Sequence, residues 1–161
     1  MNRYKFQRIR ECRHADLHAV AGIEQACYGG TMSLSRMTLT QYLYLFQSTF
    51  LVSESSNATV GFAVGGVAFS GVPEIGWILD VAVAPPFQGR RIGPTLCQHV
   101  VAALNRLGVR KIYATVAPEN ARSLQMLLSM KFHVTDDVAD YFGPGQRRLL
   151  VERHEQGEGN A

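Results

Sequence analysis

The spacing of apolar residues changes several times along this chain, and each change predicts an element. Phe6 to Arg10 alternates apolar and polar, the period of a short strand with one face buried. Between Ala15 and Ala26 the residues Leu17, Val20, Ile23 and Ala26 recur at helical spacing, with Asp16 favourably placed at the positive helix start. Gly29-Gly30 breaks the chain, and Ser35 to Gln47 forms a second amphipathic segment carrying Leu39, Tyr42, Leu43 and Phe46. The two-residue period then returns. FLVSE and ATVGFAVGGVAFSG flank a polar turn at Ser55-Ser56-Asn57 and predict a hairpin. Glycines 61, 65 and 66 in its second strand predict bulges or a close backbone approach. The run EIGWILDVAVA, Glu74 to Ala84, is almost continuously apolar and predicts a long strand buried on both faces.

The second half is more regular. Pro94 to Leu107 reads as a helix with one stripe of Leu96, Cys97, Val100, Val101, Leu104 and Leu107. Pro94 suits its first position, and Gly108 the residue just past its end. Lys111 to Val116 predicts a strand, Ala121 to Met130 a helix, and Phe132 to Asp137 a strand. A GPG turn at 143–145 leads to a last strand, Arg147 to Glu152. The order β-α-α-β-β-β-α-β-α-β-β is that of an α/β protein of the α+β kind, with helices packed on one mixed sheet. No linker or repeat interrupts it, so one domain spans 1–154 and 155–161 reads as a frayed tail.

Composition narrows the function. The chain has 161 residues, 47% of them apolar, enough for the core of one domain. A net charge of +3 suits an anionic ligand, and without a Lys/Arg-dense tract nucleic acid is not the expected partner. The basic start MNRYKFQRIRE is not followed by an apolar stretch, and no run is long enough for a membrane span. Three cysteines without C-x-x-C spacing suggest reduced thiols and a cytoplasmic protein, with Cys97 in the core. No His/Cys/carboxylate spacing predicts a metal site.

The stretch APPFQGRRIGPTL, Ala84 to Leu96, gathers glycines and arginines where a strand hands over to a helix. Free N–H groups in a first helical turn, together with the helix dipole, stabilise a phosphate there. Glycines let the backbone approach, and arginines add bidentate donors. The spacing fits neither G-x-x-x-x-G-K-[ST] nor G-x-G-x-x-G, so P-loop and dinucleotide readings fail. Locally the stretch fits a phosphate cradle or an ordinary strand-to-helix turn equally well.

Its wider context resembles the acetyl-CoA signature of the GCN5-related N-acetyltransferase (GNAT) superfamily, a strand ending in V-x-P, an aromatic, then Q/R-x-x-G-x-G/A. Val83-Ala84-Pro85, Phe87 and Gln88-Gly89-Arg90-Arg91-Ile92-Gly93 fill it, with Arg91 where the middle glycine stands. Downstream, VAPENARSLQMLLSMKF is similar to the family's N-x-x-A/S-x-x-L-Y-x-x-x-G-F through Asn120, Ser123, Leu124, Met126 and Phe132. IRECRHADLHAVAGIE is similar to its usual opening. The resemblance implies a fourth strand splayed from the fifth, with the pantetheine arm of acetyl-CoA in the gap. It places Val81, Ala82 and Val83 along that arm, their backbone pairing at Val81 and Val83. Amides from Gln88 or Gly89 through Arg90, Arg91, Ile92 and Gly93 to Pro94 would surround the pyrophosphate. Pro94 shapes the turn without donating, and Thr95 adds a hydroxyl. Asn120 either bonds the arm or caps the next helix. With a side chain at position 91, an ordinary negative φ is expected there.

For catalysis, the tyrosine that protonates the departing thiolate in this family falls at Leu127, which cannot donate a proton, and Lys131 replaces a glycine. Tyr141 in DYFGPGQRRL is the best substitute. That segment resembles a substrate-lining loop of peptide α-amine acetyltransferases, which makes Tyr141 and Phe142 substrate contacts. Glu74 and Asp80 are the candidate bases, and Asp80 interrupts an apolar run where an unpaired carboxylate is costly. Glu24 on the first helix is a further acceptor-site candidate. The resemblance thus implies an acetyl-CoA-dependent N-acetyltransferase acting on a small-molecule or protein amine, and a homodimer through edge strands. The alternative is an acyl-CoA-binding domain with little or no catalysis, a sensor or partner subunit. A scaffold without a coenzyme site is the third reading.

Overall fold

The computed structural model describes residues 8–29, 32–68 and 75–155. Strand β1 (Arg8–Glu11) leads through one 3-10 turn into α1 (Leu17–Tyr28) and α2 (Met32–Leu45). Strands β2 (Phe50–Ser55), β3 (Ala58–Ala68) and β4 (Ile75–Val83) follow, then α3 (Ile92–Arg106), β5 (Lys111–Val116), α4 (Ala121–Ser129), β6 (His133–Val138) and β7 (Arg148–His154). The strands form one sheet in the order β1-β2-β3-β4-β5-β7-β6, antiparallel except where β4 runs parallel to β5. No described helix is long and apolar enough to cross a membrane.

Strand alternation feeds two cores on opposite faces. Phe62, Val64 and Ala82 pack under Leu17, Val20, Leu39 and Leu43 of α1 and α2. Ala63 and Ile78 pack with Leu96, Val100 and Leu104 of α3, and with Leu127 at the end of α4. Cys97 is fully buried among them. The closest approach lies at Gly65, where an added Cβ would stand 2.7 Å from Val100 Cγ1, so β3 accepts only glycine against α3. The hairpin turns on Ser56 and Asn57, at φ 51° and 63°, both left-handed as a two-residue turn requires. At the first edge, Arg10 bonds both carboxylate oxygens of Asp16 (2.7 and 2.8 Å) and reaches Glu54, tying β1 and β2 to the start of α1.

Several boundaries differ from expectation. Phe6, the start of the first expected strand, and Glu74 lie outside the described residues, as do 156–161. Glu155, the first residue of the expected tail, is held by its N–H to Arg110 O (2.9 Å) and by an ion pair with Arg153. Helix α3 begins two residues early, so Pro94 is its third residue, a position whose N–H would have no intrahelical acceptor. Strand β4 is not buried on both faces, since Ile75 and Leu79 are each 39% exposed. At Leu79 the reason is a bulge: the register jumps from Val64↔Asp80 to Gly65↔Ile78 and leaves Leu79 unpaired.

Candidate functional site

The sheet opens in its middle. Strand β4 pairs with β5 only from Ile75↔Lys111 to Ile78↔Ala114. Beyond that point β4 continues along β3 to Val83, while β5 continues along β7 to Val116. Within a strand, the N–H and C=O of one residue point the same way. Ala84 donates to Val60 O and Ala82 pairs with Phe62, so these two face β3. Val81 and Val83 therefore face the gap, and side chains find their carbonyls there. Tyr28 hydroxyl donates to Val81 O at 2.5 Å, and Gln88 Nε2 donates to Val83 O at 3.0 Å. Cys27 Sγ also donates to Val83 O, at 3.3 Å. Ala82 is a correction to the expected set: its side chain is 4% exposed in the core under α1, turned from the gap.

The gap runs toward the loop that starts α3. Gly89 takes φ 79°, and Arg91 takes φ 62°, left-handed rather than the expected negative value. Arg91 is the N-cap of α3, and the turn into the helix imposes on it the conformation a glycine would adopt freely. The strain lies at a loop built around backbone donors. Gln88 is not one of them, because its N–H bonds Pro85 O (3.3 Å). Thr95 is likewise committed, its hydroxyl donating to Arg91 O at 2.7 Å. Ile92 is 5% exposed and anchors the first turn in the core, leaving its N–H and that of Gly93 at the helix start. Arg90 bonds Pro86 O (3.1 Å) and lies 5.1 Å over the Phe87 ring, so it braces the loop. At Gly93 an added Cβ would stay 3.8 Å from Met126 Sδ and Val83 Cγ2.

Helix α4 contributes two residues beside this loop. Asn120 caps it, Oδ1 accepting from the N–H of Ser123 at 3.1 Å, which realises the capping reading. Arg122 places Nη2 3.9 Å from where a Gly89 Cβ would stand. Sequence reasoning passed over Arg122 because the family pattern N-x-x-A/S leaves its position, between Asn120 and Ser123, unspecified. Its signal was an arginine two residues after a cap, one turn from the loop only once the chain is folded.

On the face covered by α1, the site is acidic and aromatic. Asp80 is half-buried, and its pKa is pushed up to about 7 by loss of water and then by the Glu24 carboxylate, against a smaller pull from the Val81 N–H. Glu24 Oε2 is buried without a hydrogen-bond partner among the described residues. Tyr28 is 59% exposed, and partial loss of water around its ring and that of Tyr42, then Asp80, raises both phenols. Trp77 stacks on Tyr113 at 5.1 Å. Leu127 is 4% exposed inside the core. Tyr141 and Phe142 lie edge to face at 4.7 Å between β6 and β7, with Arg148 5.2 Å over Phe142. That loop leaves the sheet beside the end of β5, since Val116 pairs with Leu149. It thus shares the gap's end of the sheet. The structure brings Asp80 and Glu24 within electrostatic reach of one another and places Tyr141 in the loop between β6 and β7. Among the described residues, no group of three His, Cys, Asp or Glu side chains is placed to hold a metal.

The model of the acetyltransferase (GNAT) family matches residues 17–132. An L-2,4-diaminobutyric acid acetyltransferase of Nocardia farcinica is 30% identical over 98 residues, 58% of this chain and 50% of that protein. The chain thus spans about half the length of that curated relative. Ard1 from Thermoplasma volcanium superposes with a TM-score of 0.82 at 19% identity, covering 94% of this chain and 99% of its own. For yncA from Salmonella typhimurium, solved with its cofactor acetyl-CoA, the TM-score is 0.77 at 21% identity, covering 98% and 99%. At these identities the two structures speak for the fold.

Proposed function

The chain belongs to the acetyltransferase (GNAT) family, and from that premise we propose that it moves the acetyl group of acetyl-CoA to the nitrogen of a primary amine. The observation that carries this reading is the gap between β4 and β5, lined by Val81 and Val83 and ending at the start of α3. An extended arm with two amides fits along Val81 and Val83 by exchanging with the Tyr28 and Gln88 side chains that hold their carbonyls. A diphosphate fits the N–H groups of Gly89 to Gly93, with the Arg122 guanidinium beside them. Asn120, its oxygen committed to Ser123, offers the carboxamide NH2 at the same rim. When bound, acetyl-CoA supplies an activated acyl carbon and a thiol leaving group.

The chain's own residues bind, orient and move protons. Asp80, poised near neutrality, takes the proton from the amine, and Glu24 attracts the acceptor's ammonium form into the site. Tyr141 and Phe142 form the rim that the acceptor passes, as either a small amine or a peptide end. Much of the acceleration comes from holding amine and acyl carbon together in a gap of fixed shape.

A second reading, acyl-CoA binding without turnover, is favoured by Leu127, a buried alkyl group where a proton donor is usual. Calorimetric titration with acetyl-CoA, followed by release of CoA thiol over a panel of diamino acids and alanine-led peptides, separates the readings. Binding with turnover is the expected result. Binding without turnover across the panel favours the second reading, and absence of binding overturns both.

A further inference from the structure

Six of the described acidic residues are buried or half-buried: Asp16, Glu24, Glu54, Asp80, Glu152 and Glu155. Four of them have a basic partner. Arg10 holds Asp16 and Glu54, His133 and His154 stand at Glu152, and Arg153 holds Glu155. Asp80 has a hydrogen bond from the neighbouring Val81 N–H, and Glu24 Oε2 is shut off from solvent with no hydrogen bond among the described residues. Strand alternation puts Asp80 on the face of β4 that carries Ala82, which α1 covers, and there the Glu24 carboxylate acts on it. Tyr28 of α1 and Tyr42 of α2 lie within reach of both carboxylates. No described Lys, Arg or His acts on Asp80 or on either phenol. Two carboxylates that share a site poor in water repel one another, and a cation from outside the chain completes them.

The reacting state decides what that cation is. An amine attacks only after losing its proton, so the reacting nitrogen is neutral at the moment of transfer and stays neutral as an amide. An acceptor with a single amine would leave Glu24 facing an uncharged group in the reacting state and in the product. We propose that the acceptor is a small diamine, with one nitrogen delivered to Asp80 and the other held as an ammonium by Glu24. This rests on the acetyl-transfer reading above, and it makes Glu24 a specificity-determining residue. The second ammonium keeps its proton throughout, so its pairing with Glu24 persists from substrate to product. Tyr28 and Tyr42 bring rings and hydroxyl oxygens to the same place, and an ammonium binds to either. After one transfer the molecule has one ammonium left. A second transfer would put that nitrogen at Asp80 and a neutral amide at Glu24, so the reaction stops at one acetyl group.

The test compares α,ω-diamines, from ethylenediamine to hexamethylenediamine, each with the monoamine of the same chain length, in wild type, Glu24→Gln and Glu24→Asp. In wild type the best diamine is expected to exceed its monoamine in kcat/KM by about 10- to 100-fold, the worth of one hydrogen bond to a charged group. Mass readout should find one acetyl group per diamine. Glu24→Gln should bring the ratio close to one, chiefly through KM, and should not lower the thermal melt, since it removes an unpaired charge. Glu24→Asp, one methylene shorter, should move the best diamine to a longer chain. Diamines no better than monoamines in wild type, or a preference unchanged in both variants, overturns the proposal. Release of no CoA with any amine would instead overturn the acetyl-transfer reading. Calorimetric titration of the same amines into the protein then decides the diamine site by itself, through tighter binding of a diamine than of its monoamine and loss of that difference in Glu24→Gln.

Discussion

The two ends of the gap are built in different ways. At the start of α3, the groups we propose to meet a ligand are main-chain N–H groups, and side chains there serve geometry: Ile92 is buried as an anchor and Arg90 braces Phe87. Beside Asp80, the Val81 carbonyl already accepts from Tyr28, and the chemistry we propose there belongs to the side chains of Asp80 and Glu24. Backbone recognition tolerates substitution of everything except space and charge, whereas a proton transfer depends on single atoms. The first end should therefore fail in binding and the second in rate.

The strongest way to break this contrast is Gly93→Asp. An added Cβ there meets nothing closer than 3.8 Å, so the fold should persist, with an unchanged thermal melt. The carboxylate would stand at a helix start shaped for anions and repel the diphosphate. Acetyl-CoA affinity is expected to fall by at least about 100-fold in calorimetry, the scale of a buried like-charge contact. Wild-type affinity in a folded Gly93→Asp protein would remove the diphosphate from this loop.

At the other end, Asp80→Asn should leave acetyl-CoA affinity intact and lower kcat/KM about 100-fold at pH 8. The wild-type rate should rise with pH through an inflection near 7, because Asp80 must lose its proton to act and its pKa is raised to about 7. The asparagine variant should lack that inflection. Stability moves the opposite way. The folded protein retains the Asp80 proton up to about 7, while the unfolded chain loses it near the ordinary value of 3.8. Ionised Asp80 thus costs stability progressively as pH rises across that window, and fully above it. Asp80→Asn should raise the Tm at pH 8 more than at pH 4, which paired melts would read.

Arg122→Ala tests whether a side chain joins the backbone at the anion end. Its guanidinium is exposed and lies beside Gly89, so about a tenfold loss of acetyl-CoA affinity with kcat unchanged is expected for one charge-assisted contact. A change in kcat alone would assign Arg122 to the acceptor side.

What was legible in the sequence follows the same division. Spacing of apolar residues located the four α-helices among the described residues and the hairpin, because burial leaves a period that survives in one dimension. Val83, Gly89 and Gly93 stood out because a strand end, a turn and a helix start each demand a residue type, and the structure puts such an end, turn and start there. Glu24, Tyr28 and Asp80 meet only after α1 is laid across β4, and no spacing between residues 24, 28 and 80 records that. Thr95 and Gln88 matched a pattern, yet local bonds to Arg91 O and Pro85 O claim their hydroxyl and amide. Ala82 failed for want of strand alternation, since its neighbours face the gap and it does not.

The smallest effect concerns two residues that stand where the family pattern has glycine. Arg91 and Lys131 both take a left-handed backbone, at φ 62° and 67°. An L-residue pays about 1–2 kcal/mol for that conformation, and glycine avoids it while losing more freedom on folding. The difference leaves Lys131→Gly more stable by about 0.5–1 kcal/mol, a rise of a few degrees in Tm. Lys131→Ala keeps the Cβ and should gain nothing, which separates backbone relief from loss of the exposed side chain. Arg91→Gly should gain a similar amount by the same route. It lies at the anion end, however, and Lys131 does not. If the Arg91 side chain contributes to the ligand, Arg91→Gly will lose acetyl-CoA affinity as it gains stability, while Lys131→Gly gains stability alone. Equal affinity in both variants would leave the backbone and Arg122 as the whole of the anion site.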